Sequence, residues 1–381
     1  MKSFVFETST RLIFGEGAIR ELASVAEELG FSRTLLVSDP GLVESGHVET
    51  VSLILNETGV EVHPFHEFGP DPDSSMVEKG ARVAMPLKVD SIIGLGGGSS
   101  LDCSKAINFL LAGGGQIHDY LGYGRARGNL LPMIGIPTTA GTGSEAQSYA
   151  VISDSQTHMK MACGDPQAAF RVAILDPSLT ISQPATVSSS TGIDALSHAL
   201  ESYCSKQKTL LSQSFAREAW WLLERNYERV LSDPLDLDAR GAMQLGAFYA
   251  GMAIENSSVG AAHACANPLS ARYGTSHGIA IGLLLAPVVR WSSSAAEASY
   301  RDLIDLSSTN FLRGRDATES LSRRIGELIS AAQLPQRLRS VGVLEADIEA
   351  LAGEASSHWT VEFNPRPLTY HGAMEIYREA W

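Results

Sequence analysis

The chain has 381 residues, of which 44% are hydrophobic and 19% charged, and a formal net charge of −14. That length exceeds one ordinary core and predicts two domains, while the composition is that of a packed globular enzyme and excludes a disordered or repetitive chain. The acidic balance disfavours nucleic acid as a partner, because phosphate backbones are repelled.

In chain order, the residue pattern predicts a helix over 17–29 and strands at 34–38 and 60–65. A helix follows over 74–84, then a buried apolar strand at 91–95 that runs into glycines. Further strands are expected at 132–137 and 171–175. Strand and helix in alternation argue for a parallel sheet covered by helices. From about Thr186 the pattern changes. Helical periods run over 192–204, 210–231, 237–256, 259–271 and 277–291, and strand signals nearly vanish. The expected architecture is an N-terminal nucleotide-binding α/β domain over residues 1–182, followed by an all-helical domain over 183–381, with the boundary near Pro177 to Pro184.

No run of about 18 apolar residues is present, so no membrane span is expected; the apolar stretch 278–289 is too short. Residues 1–7 lack an apolar signal core. Cys103, Cys163, Cys204 and Cys265 stand far apart without a Cys-x-x-Cys pair, which predicts reduced thiols and a cytoplasmic location. Arg323 and Arg324, the densest basic run, read as a solvated pair.

The segment Gly94-Leu95-Gly96-Gly97-Gly98-Ser99-Ser100 follows the apolar strand directly and opens a helical pattern. Small residues let backbone N–H groups approach a pyrophosphate, and the helix N-terminus adds partial positive charge. Ser99 and Ser100 are candidate helix caps, and a plain strand-to-helix turn remains the alternative reading. A second small-residue turn, Pro137-Thr138-Thr139-Ala140-Gly141-Thr142-Gly143-Ser144-Glu145, offers hydroxyls either to phosphate or ribose or to a helix starting near Glu145. Asp39 ends the early strand, where a carboxylate accepts from ribose hydroxyls and repels a 2′-phosphate, or where Ser38-Asp39-Pro40-Gly41 is simply a turn.

Asp194 and His198 are four apart on an expected helix and so share one face. His263 and Asn267 have the same spacing on another helix, and His277 begins the next. One carboxylate and three imidazoles match a four-ligand divalent-metal site, provided that the three segments converge. A capping pair and a helix-start histidine are the blander readings.

These pieces, in this order, resemble the iron-containing (group III) alcohol dehydrogenases over essentially the full length. The matching segments include Phe14-Gly15-Glu16-Gly17, Gly96-Gly97-Gly98-Ser99 with Asp102 and Lys105, 137–145, and Asp176-Pro177. They continue through 191–201, His263, His277-Gly278 and Asn364-Pro365-Arg366-Pro367. The resemblance implies a dehydroquinate synthase-like fold and NAD-linked interconversion of a small alcohol or diol with its aldehyde or ketone. It implies Fe²⁺ or Zn²⁺ on Asp194, His198, His263 and His277, and a homodimer. Gly96, Gly97, Gly98, Ser99, Asp102, Thr138, Thr139, Thr142 and Lys160 are the implied cofactor contacts, with Asp39 implying NAD over NADP. Asn267 stands where the family commonly has a histidine credited with proton transfer, and Asp71 where it often has asparagine. The alternatives are a dehydroquinate-synthase-like cyclase or lyase that uses NAD transiently, and a catalytically impaired NAD- and metal-binding relative.

Overall fold

The computed structural model describes residues 3–6, 8–308 and 316–381. Met1, Lys2 and Glu7, part of the N-terminal segment read above for a signal core, lie outside the described residues. The chain forms two compact units, Glu7–Thr139 with Gly143–Gln183, and Pro184–Trp381 with Met1–Phe6 and Ala140–Thr142.

The first unit alternates strands and helices: β1 (Arg11–Phe14), α1 (Leu22–Glu28), β2 (Arg33–Val37), α2 (Pro40–Glu44), α3 (His47–Asn56), β3 (Glu61–Phe65), α4 (Ser74–Ala84), β4 (Ser91–Gly96) and α5 (Gly98–Gly113). It continues with β5 (Gly122–Tyr123), β6 (Met133–Pro137), β7 (Tyr149–Ser153), β8 (Lys160–Gly164) and β9 (Val172–Leu175). The main sheet has the order β1-β9-β6-β4-β2-β3, parallel throughout. β4 and β6 are buried at every residue, which is why they read as unbroken apolar runs rather than alternating ones. From β2 the chain crosses to one side for β3 and returns to the other for β4. The C-terminal ends of β2 and β4 therefore flank the topological switch point, where open parallel sheets bind ligands. Asp39 follows the first of these ends and the glycine-rich turn follows the second.

Two local expectations fail in this unit. The expected helix near Glu145 is only the single 3-10 turn Ser144–Ala146, because Gln147 is extended and the β-branched Val151 and Ile152 belong to β7. With β5 and β8, β7 forms a small second sheet that the residue pattern did not announce. Ser99 and Ser100 do not cap α5; Gly97 is the N-cap residue and both serines lie inside the first turn.

The second unit contains α6 (Ala185–Cys204), α7 (Leu210–Ser232), α8 (Leu237–Glu255), α9 (Ala261–Tyr273), α10 (His277–Trp291), α11 (Ser293–Leu306), α12 (Ala317–Ala331), α13 (Ile348–Ser356) and α14 (Tyr370–Ala380), with no strand among the described residues. α6 starts earlier than expected, and there the hydroxyls of Ser189, Ser190 and Thr191 bond back to the carbonyls of Ala185, Thr186 and Val187. A Ser/Thr run is thereby accommodated inside the helix. Trp220, Tyr227, Tyr300 and Tyr377 are its largest fully buried side chains. Their polar tips are used rather than abandoned: Tyr227 donates to Ser189 O at 2.7 Å, and Tyr377 donates to Cys265 O at 2.6 Å. Among the described residues no single helix is long and apolar enough to cross a membrane.

Arg324 corrects the reading of a solvated basic pair. It is 4% exposed, and its guanidinium donates to Glu224 and Glu228, each at 2.7 Å. Burial of an arginine is possible here because Glu224, itself 1% exposed, arrives from α7 to neutralise it. Arg324→Ala strands the Glu224 carboxylate and should cost about 3 kcal/mol. Urea unfolding followed by far-UV circular dichroism measures this, and an unchanged midpoint would show that the pair contributes nothing net.

Candidate functional site

α6 carries Asp194, His198 and Glu201 on one face, at spacings of four and three. All three are buried. Opposite them stands the N-terminus of α9, where Gly260 is the N-cap residue and His263 lies in the first turn. Helix N-termini leave N–H groups without intrahelical partners. Here two are taken by side chains: Ala261 N–H donates to Asn364 Oδ1 at 3.1 Å and Ala262 N–H to Glu201 Oε1 at 2.7 Å. A Cβ on residue 260 would lie 2.7 Å from Asn364 Oδ1 and 3.2 Å from Glu201 Oε1, so only glycine permits this approach. The asparagine of the Asn364-Pro365-Arg366-Pro367 segment thus anchors the helix that presents His263.

Glu201 Oε2 accepts from His263 Nδ1. That bond places the ring hydrogen on Nδ1 and leaves Nε2 as a lone pair aimed into the cluster. Burial, followed by the proximity of His198 and His277, pushes the His263 imidazole well below its usual pKa and keeps it neutral. Burial also raises the Glu201 carboxyl to about 7, against the pull of the Ala262 N–H.

His198 Nε2 is 2.9 Å from His263 Nε2, and Asp194 Oδ1 lies 3.5 Å from His198 Nε2. The Nε2 atoms of His263 and His277 are each 3.7 Å from that same oxygen. Ligand atoms of Asp194, His263 and His277 all fall within 4.8 Å of one another. Imidazole nitrogens and a carboxylate oxygen crowded this closely, with one lone pair fixed by an outer carboxylate, fit a divalent cation chemically. Asp194, His198, His263 and His277, separated by up to 83 positions in sequence, are thus brought together within one unit.

In the α/β unit, Gly96 has φ +141°, a conformation that favours glycine, and a Cβ there would collide with Ser100. A Cβ on Gly97 would lie 3.2 Å from Thr139, and Thr138 N–H donates to Gly96 O at 3.1 Å, so the two small-residue turns are adjacent. Asp39 Oδ1 accepts from Gly41 N–H at 3.0 Å, capping α2, while Oδ2 lies 3.5 Å from Ser100 Oγ. Lys160 Nζ pairs with Asp71 at 2.6 Å, and Asp71, at φ +52°, donates its N–H to Ser99 Oγ at 3.1 Å. Asp102 is committed within the protein: Oδ1 accepts from Ser144 Oγ and Oδ2 from Val151 N–H at 3.2 Å. Burial raises its pKa, with Lys105 as the main opposing influence. Thr142 falls with the helical unit, not with the other nucleotide-turn residues; its neighbour Gly141 packs against Thr191 of α6.

Sequence reasoning gave no role to Glu201, although its place three residues after His198 on the same face was a readable signal. It also passed over His358, whose Nε2 is 2.9 Å from Asn267 Nδ2 and whose position in the chain carries no local hint.

Comparison with known proteins decides what this arrangement belongs to. Residues 9–177 match the family model described as iron-containing alcohol dehydrogenase, and residues 188–381 match the C-terminal region of the same family. The chain belongs to the iron-containing alcohol dehydrogenase family. Among curated relatives it is 33% identical to the NAD-dependent methanol dehydrogenase of Bacillus methanolicus, over 97% of both chains. Among solved structures it resembles a 1,3-propanediol oxidoreductase, with a TM-score of 0.96, 32% identity and complete coverage of both chains. It also resembles a sulfoacetaldehyde reductase from Bifidobacterium kashiwanohense in complex with NAD⁺, with a TM-score of 0.89, 27% identity and coverage of 100% and 99%. As a family member the chain is a metal-containing, NAD-linked oxidoreductase of alcohols and their carbonyl products. The cyclising alternative is not favoured.

Replacing the outer carboxylate tests the ligand geometry. Glu201→Gln turns an amide toward His263 Nδ1–H and should weaken Zn²⁺ or Fe²⁺ binding about 10–100-fold, as loss of such partners does. Competition with a chelating dye reads the affinity; an unchanged value would mean that Glu201 does not orient His263.

Proposed function

We propose that this iron-containing alcohol dehydrogenase oxidises short primary alcohols or diols with NAD and reduces the corresponding aldehydes. The observation that carries this reading is the convergence of the buried Asp194, His198 and His263 with the half-buried His277, with His263 oriented by Glu201. These four residues would hold Fe²⁺ or Zn²⁺. When bound, that ion supplies Lewis-acid polarisation of the substrate oxygen, and NAD supplies the hydride acceptor. Intrinsic affinity favours zinc, so the donor set alone does not select iron.

In the protein's own part, burial keeps the His263 imidazole neutral, and its Nε2 lone pair is turned toward the cation position. Asn267 orients a hydroxyl but does not take its proton, since an amide is no base near neutral pH; the proton leaves to water. Gly96, Gly97 and Gly98 present backbone N–H groups at the start of α5, where a pyrophosphate is favoured. Ser99, Thr138 and Thr139 border that turn, and Asp39 faces the ribose and disfavours a 2′-phosphate. Asp102 acts by fixing α5 to the 144–151 segment, and Lys160 reaches the phosphates on leaving Asp71. Thr142 is retained as a contact on the family resemblance alone.

A cytoplasmic homodimer completes the reading. All four cysteines are free and buried, which suits a reducing compartment. β1 lies at the sheet edge with Phe14 44% exposed, a surface that a second copy can cover.

Anaerobically prepared, Fe²⁺-loaded protein should form NADH with short alcohols and diols, at least about tenfold faster than NADPH, and Asp39→Gly should narrow that ratio. Absence of any alcohol-dependent reduction of either nucleotide would sink the proposal.

A further inference from the structure

His358 precedes the short 3-10 segment Trp359–Phe363 and is buried. Its imidazole is held on both sides. Nδ1 lies 2.9 Å from Thr360 Oγ1, and that hydroxyl donates to Gly260 O at 3.1 Å. A hydroxyl whose proton is directed at a carbonyl can only accept from the ring, so Nδ1 carries the hydrogen and Nε2 is a lone pair. The Thr360 N–H also points at Nδ1, from 3.4 Å, a longer contact than the 2.9 Å one, while Nε2 faces an amide nitrogen that can only donate, and this selects the same tautomer.

Nε2 faces Asn267 Nδ2 at 2.9 Å. The Asn267 amide group is therefore turned toward His358, and its Oδ1 takes no hydrogen bond among the described residues. Asn267 is half-buried and sits one turn beyond His263 on the same face of α9. The imidazole that could have stood at this position is supplied instead from a distant segment, behind an amide.

We propose that His358 is a positioning residue of the alcohol site: it locks the Asn267 carboxamide with its oxygen toward the substrate, so that this position accepts a hydrogen bond from an alcohol hydroxyl and offers none to a carbonyl oxygen. The inference rests on the alcohol dehydrogenase reading above. Burial, assisted by His277, holds the His358 ring down at about 4, so the Nε2 lone pair persists at neutral pH. Without His358 the carboxamide rotates freely, and the distinction between hydroxyl and carbonyl ligands falls.

The test uses Fe²⁺-loaded protein with 1-propanol and propanal as probes. His358→Ala should raise KM for 1-propanol about tenfold, the worth of one neutral hydrogen bond, while KM for propanal stays level or drops. His358→Gln, whose oxygen can replace the Nε2 lone pair, should restore the wild-type values. In an Asn267→Leu background, His358→Ala should change neither constant. Equal changes in both KM values, or an effect that survives Asn267→Leu, would overturn the proposal.

A second measurement is independent of turnover. Nitrogen-15 NMR of selectively histidine-labelled protein should assign His358 to the Nδ1–H tautomer. An Nε2–H tautomer would overturn the proposal even if every variant failed to fold. Wild-type protein inactive on all alcohols would defeat the functional reading, and this NMR result would still decide the orientation of Asn267.

Discussion

The site depends on a single buried carboxylate. Glu201 accepts from the Ala262 N–H and from His263 Nδ1, and so joins α6 to the start of α9. The same contact satisfies a helix N-terminus, fixes which nitrogen of His263 carries hydrogen, and brings that imidazole against Asp194 and His198. A carboxylate this deep is costly unless its oxygens are fully used, and both are. Asn364 performs the neighbouring task at Ala261, and Gly260 is small enough to let both side chains close in. The sequence elements that looked separate, the 191–201 helix, His263 and the closing Asn364 segment, are parts of one helix-capping arrangement with a ligand cluster at its tip.

The α/β unit solves a different problem, holding two glycine- and hydroxyl-rich turns side by side without stiffening them with bulky side chains. It does so from beneath. Lys105, wholly buried on α5, donates to the carbonyls of Ser144 and Tyr149, each at 2.7 Å, while Asp102 on the same helix takes Ser144 and Val151. The Lys105 ammonium lies 3.8 Å from Asp102 Oδ1, so each offsets the other in the interior. Asp39 and the Gly96 turn then stand at adjacent strand ends because of strand order alone.

Much of this was legible in the sequence where the signal was local. β2, β4, β6 and β9 read as apolar runs because both faces of a parallel sheet are covered, and α7, α8 and α10 announced themselves by length and period. The Asp194–His198 pair followed from helical spacing. What escaped was set by contacts distant in sequence. The two-residue β5 is too short to carry a period, β7 and β8 lack the unbroken apolar run that marks the main-sheet strands, and Gln147 ended a helix that the hydroxyl-rich turn promised. Arg324 looked solvated because Glu224, a hundred residues earlier, was not visible as its partner. The helices α11 to α14 went unnamed. Glu201 was within reach of the same spacing that found Asp194, whereas the meeting of Asn267 with His358, 91 residues away, was not.

The central claim is that Asp194, His198, His263 and His277 form one metal-binding shell. X-ray absorption at the zinc K-edge of the zinc-loaded protein tests it most directly. Three imidazole nitrogens and one carboxylate oxygen predict light-atom scattering at about 2.0–2.1 Å with clear histidine multiple scattering. A sulfur shell at about 2.3 Å, or scattering without the imidazole signature, would contradict the account.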